Sequence, residues 1–135
     1  MPTTILRYGI PYGPRARAAA VLPIFVRKAL AGEPLTIAGD GSQFRYFVYV
    51  EDLAEGNALA LNPVARNQTY NLDGREKVTS LQIAETVKKI IGDVEIVRVE
   101  ERPGDFDGKT VSSARPSATW AGWQRWVSKK ASATI

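Results

Sequence analysis

A mixed α/β fold is what this sequence predicts, and three features predict it. Runs of β-branched and apolar residues alternate with stretches whose apolar residues recur at helical spacing. The first strand-like run ends in Gly9-Ile10-Pro11-Tyr12-Gly13-Pro14, and α/β folds place ligands in loops at strand ends. A helical stretch near residue 80 carries its own start and stop signals, Thr79 with Gln82 and then Gly92.

Taken in order, Thr3 to Tyr8 reads as a buried strand. Two glycines and two prolines in the next six residues predict a loop. Ala18 to Ala31 reads as a helix with Val21, Leu22, Phe25, Val26 and Leu30 toward the core. Pro23 fits only in a first turn, which sets the start near Val21 or Leu22 and leaves backbone amides free there. Leu35 to Ala38 is a short strand, Gly39-Asp40-Gly41 a hairpin turn, and Gln43 to Val50 a second strand. On that second strand Phe44, Tyr46, Val48 and Val50 share one face, and Arg45, Phe47 and Tyr49 the other. Glu51 to Leu61 is a helix with Leu53, Ala54, Asn57, Ala58 and Leu61 at helical spacing and acids at its amino end. Thr69 to Leu72 is a strand and Asp73-Gly74 a turn. The next helix starts at Val78, with Leu81, Ile83, Ala84, Val87, Ile90 and Ile91 as its apolar stripe. Val94 to Val99 alternates as a half-exposed strand, and Arg102 to Asp105 is a turn. Trp120, Trp123 and Trp126 cluster, read as a core anchor for the C-terminus in preference to a sugar platform, ahead of a polar, basic tail over 124–135. No internal repeat and no long linker occurs, so residues 1–123 read as one unit.

Composition narrows the chemistry. The 135 residues are 44% hydrophobic and 24% charged, which is globular rather than disordered. With no cysteine, disulfides and thiolate chemistry are excluded, and with no histidine the commonest metal ligand and neutral-pH base are gone. We therefore expect no metal site. The net charge of +4 suits an anionic small molecule such as a diphosphate, and also nucleic acid. The basic segment 125–130 carries no nucleic-acid motif, so a solvated tail is preferred. No apolar run approaches a membrane span and the start lacks a secretory layout, so a cytoplasmic setting is expected.

Arg45 and Arg102 stand out among the residues that carry chemistry. Spacing alone fits an ordinary ion pair of each with Asp or Glu, but a guanidinium between aromatic neighbours on a strand, and another in a Pro-Gly turn beside Asp105, present planar forks suited to a diphosphate. Gly39-Asp40-Gly41 is not a dinucleotide fingerprint, because Phe44 stands where the third glycine belongs. No tyrosine is followed four residues later by lysine, so that route to a phenolate base is missing, and no catalytic residue is assigned.

The order of the pieces ILRYGIPYGP (5–14), VLPIFVRKALAGEPLTIAGDG (21–41), QFRYFVYVEDLA (43–54), TYNLDG (69–74) and RPGD (102–105), with a closing AGW (121–123), resembles the C-terminal half of extended short-chain dehydrogenases/reductases. Within them it resembles the NAD-dependent nucleotide-sugar epimerases and dehydratases. The resemblance implies a small mixed α/β substrate-binding lobe plus the last strands of a Rossmann-like sheet. It implies that Tyr8, Gly9, Ile10 and Pro11 lie against the nicotinamide end of NAD. Val21 and Leu22 would offer backbone amides to the substrate diphosphate, and Thr36 and Ala38 would flank the uracil or thymine base. Arg45 and Arg102 would bind the diphosphate, Asn71 would hydrogen-bond near it, and Asp105 would reach the ribose.

Several positions depart from the family's pattern. Ile10 and Ala20 stand where asparagines are usual, Tyr46 where an acid is, and Ala38 lacks an aromatic neighbour for the base. The Gly-rich NAD loop and Tyr–Lys base of the family's N-terminal domain are not in this sequence. The chain is therefore expected to be catalytically incomplete alone, with sheet edges at 3–8 and 68–72 open to association. The preferred reading is the UDP- or dTDP-sugar-binding portion of a UDP-glucose 4-epimerase-like enzyme. A 4,6-dehydratase portion and a non-catalytic sugar-nucleotide module are the alternatives, and a nucleic-acid binder is a third reading that ranks below them.

Overall fold

The computed structural model describes residues 1–101. The elements run β1 (Ile5–Tyr8), β2 (Ile10–Tyr12), α1 (Val21–Leu30), β3 (Leu35–Ala38), β4 (Phe44–Tyr49), α2 (Val50–Leu59), a short 3-10 turn (Pro63–Ala65), β5 (Thr69–Leu72), β6 (Lys77–Thr79), α3 (Ser80–Ile91) and β7 (Ile96–Val99). They fall into two compact units. One comprises Met1–Pro14 and Tyr46–Glu76, the other Arg15–Arg45 and 77–101.

In the first unit β1 pairs in parallel with β5, Ile5 opposite Thr69 through Tyr8 opposite Leu72. β2 pairs in parallel with β4, Ile10 opposite Phe47 through Tyr12 opposite Tyr49. The core gathers Val48, Leu53, Ala65, Tyr70 and Leu72, with Leu6, Leu59 and Ala60 packed around it. Gly74 lies so close to β4 that a side-chain carbon there would overlap the Phe47 backbone carbonyl. Only glycine lets β5 turn away at that point.

Three expectations are corrected in this unit. β1 is largely exposed rather than buried, with Ile5 50% accessible, because β5 is its one hydrogen-bonded neighbour among the described residues. Residues 10–12 of the expected loop form a strand. Pro11 is tolerated there because, among the described residues, β2 is an edge strand with β4 on one side, the place in a sheet where a missing N–H costs least. α2 buries Asp52, Leu53 and Gly56, while Ala54 and Ala58 are exposed and Leu61 lies beyond the helix end. Its inward face is set by the packing of Gly56 on Leu72, which apolar periodicity does not register.

The second unit packs α1 and α3 on the parallel pair β3–β7, which runs from Leu35 opposite Ile96 to Ala38 opposite Val99. Phe25 and Ala29 of α1, Ile83, Ala84 and Val87 of α3, and Leu35 and Ile37 of β3 are the buried apolar residues of these elements. Val26, Leu30 and Ile90 of the predicted stripes are exposed. Gly39-Asp40-Gly41 does not close a hairpin. β3 pairs with the distant β7, and the Gly41 carbonyl accepts the Leu81 N–H, which ties the turn to the start of α3. Val78 belongs to β6, and the helix begins at Ser80.

The capping box at α3 is present. The Thr79 Oγ1 accepts the Gln82 N–H at 3.1 Å, and the Gln82 Oε1 accepts the Thr79 N–H at 2.8 Å. Thr79→Ala is expected to cost about 1 kcal/mol in urea unfolding, since it leaves a first-turn donor without its partner. Thr79→Ser should restore most of it. An unchanged midpoint for Thr79→Ala would contradict the assignment. No helix among the described residues is long and apolar enough to cross a membrane. None of their carboxylates cluster with others in a way that could hold a metal ion.

Candidate functional site

Parallel strands end together, so β1 and β5 deliver their last residues to one place. The Gly9 N–H donates to the Leu72 carbonyl at 2.8 Å and carries the register one residue past β1. An open cavity of about 210 Å³ lies there, lined by Arg7, Tyr8, Gly9, Asn71 and Asp73. It sits at the carboxyl ends of parallel strands, the place where α/β sheets hold ligands. The Tyr8 hydroxyl donates to Asn57 Oδ1 at 2.7 Å, and Asn57 Nδ2 donates to the Leu53 carbonyl at 2.7 Å. Helix α2 thus fixes the ring that borders the cavity. A side-chain carbon on Gly9 would collide with the Asp73 carboxylate, so glycine is what allows Asp73 to lie over the strand end. Burial pushes the Asp73 carboxyl up from its ordinary value, and the Gly74 N–H, donating at 2.9 Å, holds it back in part.

Tyr12 follows within the same unit. Its ring packs against Tyr49 at 5.4 Å and edge-on to Phe47 at 6.5 Å. Burial, then the Asp52 carboxylate, then Tyr49 push its phenol above the ordinary value.

In the second unit, Val21 and Leu22 are the first two residues of α1. Its N-cap, Ala20, offers no side-chain hydrogen bond, and its first turn holds no acid. The other two α-helices differ: α3 is capped by Thr79 and α2 has Glu51 and Asp52 in its first turn. The positive end of α1 is thus left without a counter-charge of its own. Thr36 and Ala38 lie on the face of β3 opposite the buried Leu35 and Ile37. Lys28 Nζ donates to Thr36 Oγ1 at 3.2 Å and to the Pro34 carbonyl at 3.4 Å. Arg45 is half-buried on β4, where its Nη1 donates to the Phe44 carbonyl at 2.7 Å. The Lys77 ammonium stands 3.9 Å from the centre of the Phe44 ring.

The structure therefore brings Tyr8, Gly9 and Asn71 together around one cavity, with Ile10 and Pro11 following in β2. It holds Val21, Leu22, Thr36, Ala38 and Arg45 in the second unit. Arg102, Asp105, the tryptophan cluster and the tail over 124–135 lie outside the described residues. Arg7, Asn57 and Asp73 escaped sequence reasoning. Asp73 was hidden by its place in an Asp-Gly pair, which reads as turn chemistry.

The family model described as the NAD dependent epimerase/dehydratase family matches residues 1–73, more than half of the chain. The chain belongs to this family. Among curated relatives, it is 34% identical over 93 residues to a UDP-N-acetyl-alpha-D-glucosaminuronate decarboxylase of Bacillus cytotoxicus, covering 67% of this chain and 29% of that protein. Among solved structures, a UDP-glucose 4-epimerase of Thermotoga maritima with UDP-glucose superposes with a TM-score of 0.80 at 31% identity. That match covers 87% of this chain and 39% of the other. A Thermus thermophilus UDP-glucose 4-epimerase in complex with NAD gives 0.74 at 33%, over 87% and 40%. This family member thus spans about two fifths of the epimerase chains, and its mixed α/β fold with parallel strand pairs is theirs. The family's reactions depend on NAD.

Proposed function

We propose that this chain orients a nucleotide-diphosphate sugar for an NAD-dependent sugar epimerase of the UDP-glucose 4-epimerase type. The observation that carries the reading is the cavity where β1 and β5 end, in a chain 31% identical to an epimerase solved with UDP-glucose. The residues fit one end of the cofactor. About 210 Å³ is less than the roughly 300–1,000 Å³ of a pocket that encloses a whole ligand. It suits a nicotinamide end rather than a full dinucleotide, with Tyr8, Gly9, Ile10 and Pro11 alongside. When bound, NAD supplies the reversible removal and return of hydride at the sugar.

What this chain contributes is position. The first-turn amides of Val21 and Leu22, with no side-chain cap from Ala20 and no acid in that turn, favour an anion through the helix dipole. Arg45 and Arg102 add guanidinium forks for the diphosphate oxygens, and Thr36 and Ala38 border the base. Asn71 donates near the diphosphate, and Asp105 takes a ribose hydroxyl. Holding the charged middle of the substrate fixes the sugar at one end without touching the reacting carbon, and orientation of that kind accounts for a large part of rate enhancement. The sequence contains no Tyr-x-x-x-Lys pair, so the chain by itself binds rather than turns over. A sugar-nucleotide module without catalysis shares these binding residues, and the same absence favours it as a second reading.

Isothermal calorimetry separates a diphosphate site from a general basic surface. UDP is expected to bind this chain at least tenfold more tightly than UMP, because the second phosphate meets the amides and the guanidinium groups. Equal affinities, or a steeper salt dependence with oligonucleotides than with UDP, would overturn the proposal.

A further inference from the structure

We propose that Asp73 is a ligand-positioning residue whose carboxylate accepts a hydrogen bond from an N–H or O–H donor of the small molecule seated where β1 and β5 end. The donor is the carboxamide of a nicotinamide nucleotide or a hydroxyl of a sugar. The inference rests on the reading given under Proposed function, in which that cavity receives the nicotinamide end of the cofactor, beside which the substrate sugar must lie for hydride transfer.

Four observations lead to it. First, Asp73 lines the cavity together with Arg7, Tyr8, Gly9 and Asn71, at the carboxyl ends of two parallel strands. Second, the fold accommodates it at the expense of any side chain on Gly9, which would collide with the Asp73 carboxylate. Third, its hydrogen bond within the described residues is the Gly74 N–H to Oδ1 at 2.9 Å, and it forms no ion pair among them, although Arg7 borders the same cavity. A carboxylate has about four acceptor positions, so most of its capacity is unspent among the described residues. Fourth, Asp73 is half-buried, and burial raises its pKa. Removing a carboxylate from water without a cation is unfavourable, and perturbed groups of this kind concentrate where ligands bind.

A purely structural role would be met equally well by asparagine. Its side-chain oxygen accepts the Gly74 N–H just as the carboxylate does, and it carries no charge to desolvate. Asp73→Asn is therefore the informative variant, and it should unfold at the same urea concentration as the parent or a higher one. For a ligand donor it is different, because the charge-assisted hydrogen bond is replaced by a weaker neutral one.

The test is calorimetry on the full chain and on Asp73→Asn with three probes: nicotinamide mononucleotide, UDP-glucose and UDP. If the donor is the carboxamide, the variant binds nicotinamide mononucleotide about tenfold or more weakly and UDP as before. If the donor is a sugar hydroxyl, the variant loses about tenfold for UDP-glucose and nothing for UDP. Unchanged affinities for both of the first two probes would overturn the proposal. So would failure of the parent chain to bind either of them, or an equal loss for all three, which marks a general structural effect. Failure of UDP alone would instead overturn the diphosphate reading while the nicotinamide mononucleotide arm still reports on Asp73.

Discussion

Leu72→Ala is expected to destabilise the first unit by about 2–5 kcal/mol, read as a lower urea midpoint. Leu72 is fully buried in the cluster of Val48, Leu53, Ala65 and Tyr70. Truncation removes transfer free energy and leaves a cavity that the strand pair β1–β5 and helix α2 cannot close without moving backbone. Its neighbours in sequence, Asn71 and Asp73, both line the cavity where β1 and β5 end, and its carbonyl accepts the Gly9 N–H. The variant should therefore lose ligand affinity along with stability. A control is built into the packing. A side-chain carbon on Gly56 would come within 2.7 Å of Leu72 Cδ1. Gly56→Ala should overpack the parent but be tolerated, or favourable, in the Leu72→Ala background, a coupling that additive effects do not produce. A loss under about 1 kcal/mol for Leu72→Ala would contradict the assigned core.

The second large effect concerns Arg45. Arg45→Ala is expected to lower UDP affinity by about 10- to 100-fold while changing the urea midpoint little. A charge-assisted bond to phosphate contributes about 1.5–3 kcal/mol, and a half-buried strand residue whose neighbours are aromatic leaves the core intact. Arg45→Lys should recover only part of the loss, because an ammonium keeps the charge but not the planar fork. UMP affinity should fall less than UDP affinity.

Local signals were readable in the chain and long-range ones were not. The Thr79–Gln82 box and the Gly92 stop lie within one helix, and α3 starts and ends by them. The start of α1 followed from Pro23, whose ring and missing N–H confine it to a first turn. The family's order of motifs singled out Tyr8 and Gly9 for the nicotinamide and Asn71 for the diphosphate, and the structure has all three lining one cavity. Pairing partners were a different matter. β3 meets β7, which lies more than fifty residues on, and a turn rich in glycine beside another strand-like run reads instead as a hairpin. The face of α2 was misread because the residues that pack inward, Asp52 and Gly56, are a charge and a hydrogen atom rather than apolar side chains. The exposure of β1 depends on which strands lie beside it, and its own residues say nothing of that. Asp73 was hidden for the opposite reason. Its local role as a turn residue is real, as its bond to the Gly74 N–H shows, and the cavity-lining role is superimposed on it.

The most direct test of the central claim is a double-mutant cycle on Arg45 and Arg102, with UDP affinity measured by calorimetry for the parent chain, Arg45→Ala, Arg102→Ala and the double variant. If both guanidinium groups hold one diphosphate, each single change weakens UDP by about tenfold or more, and the double change falls short of or exceeds their product by a coupling of at least about 0.5 kcal/mol. Strictly additive losses, or full UDP affinity in the double variant, would contradict the claim that these two arginines meet on the same ligand.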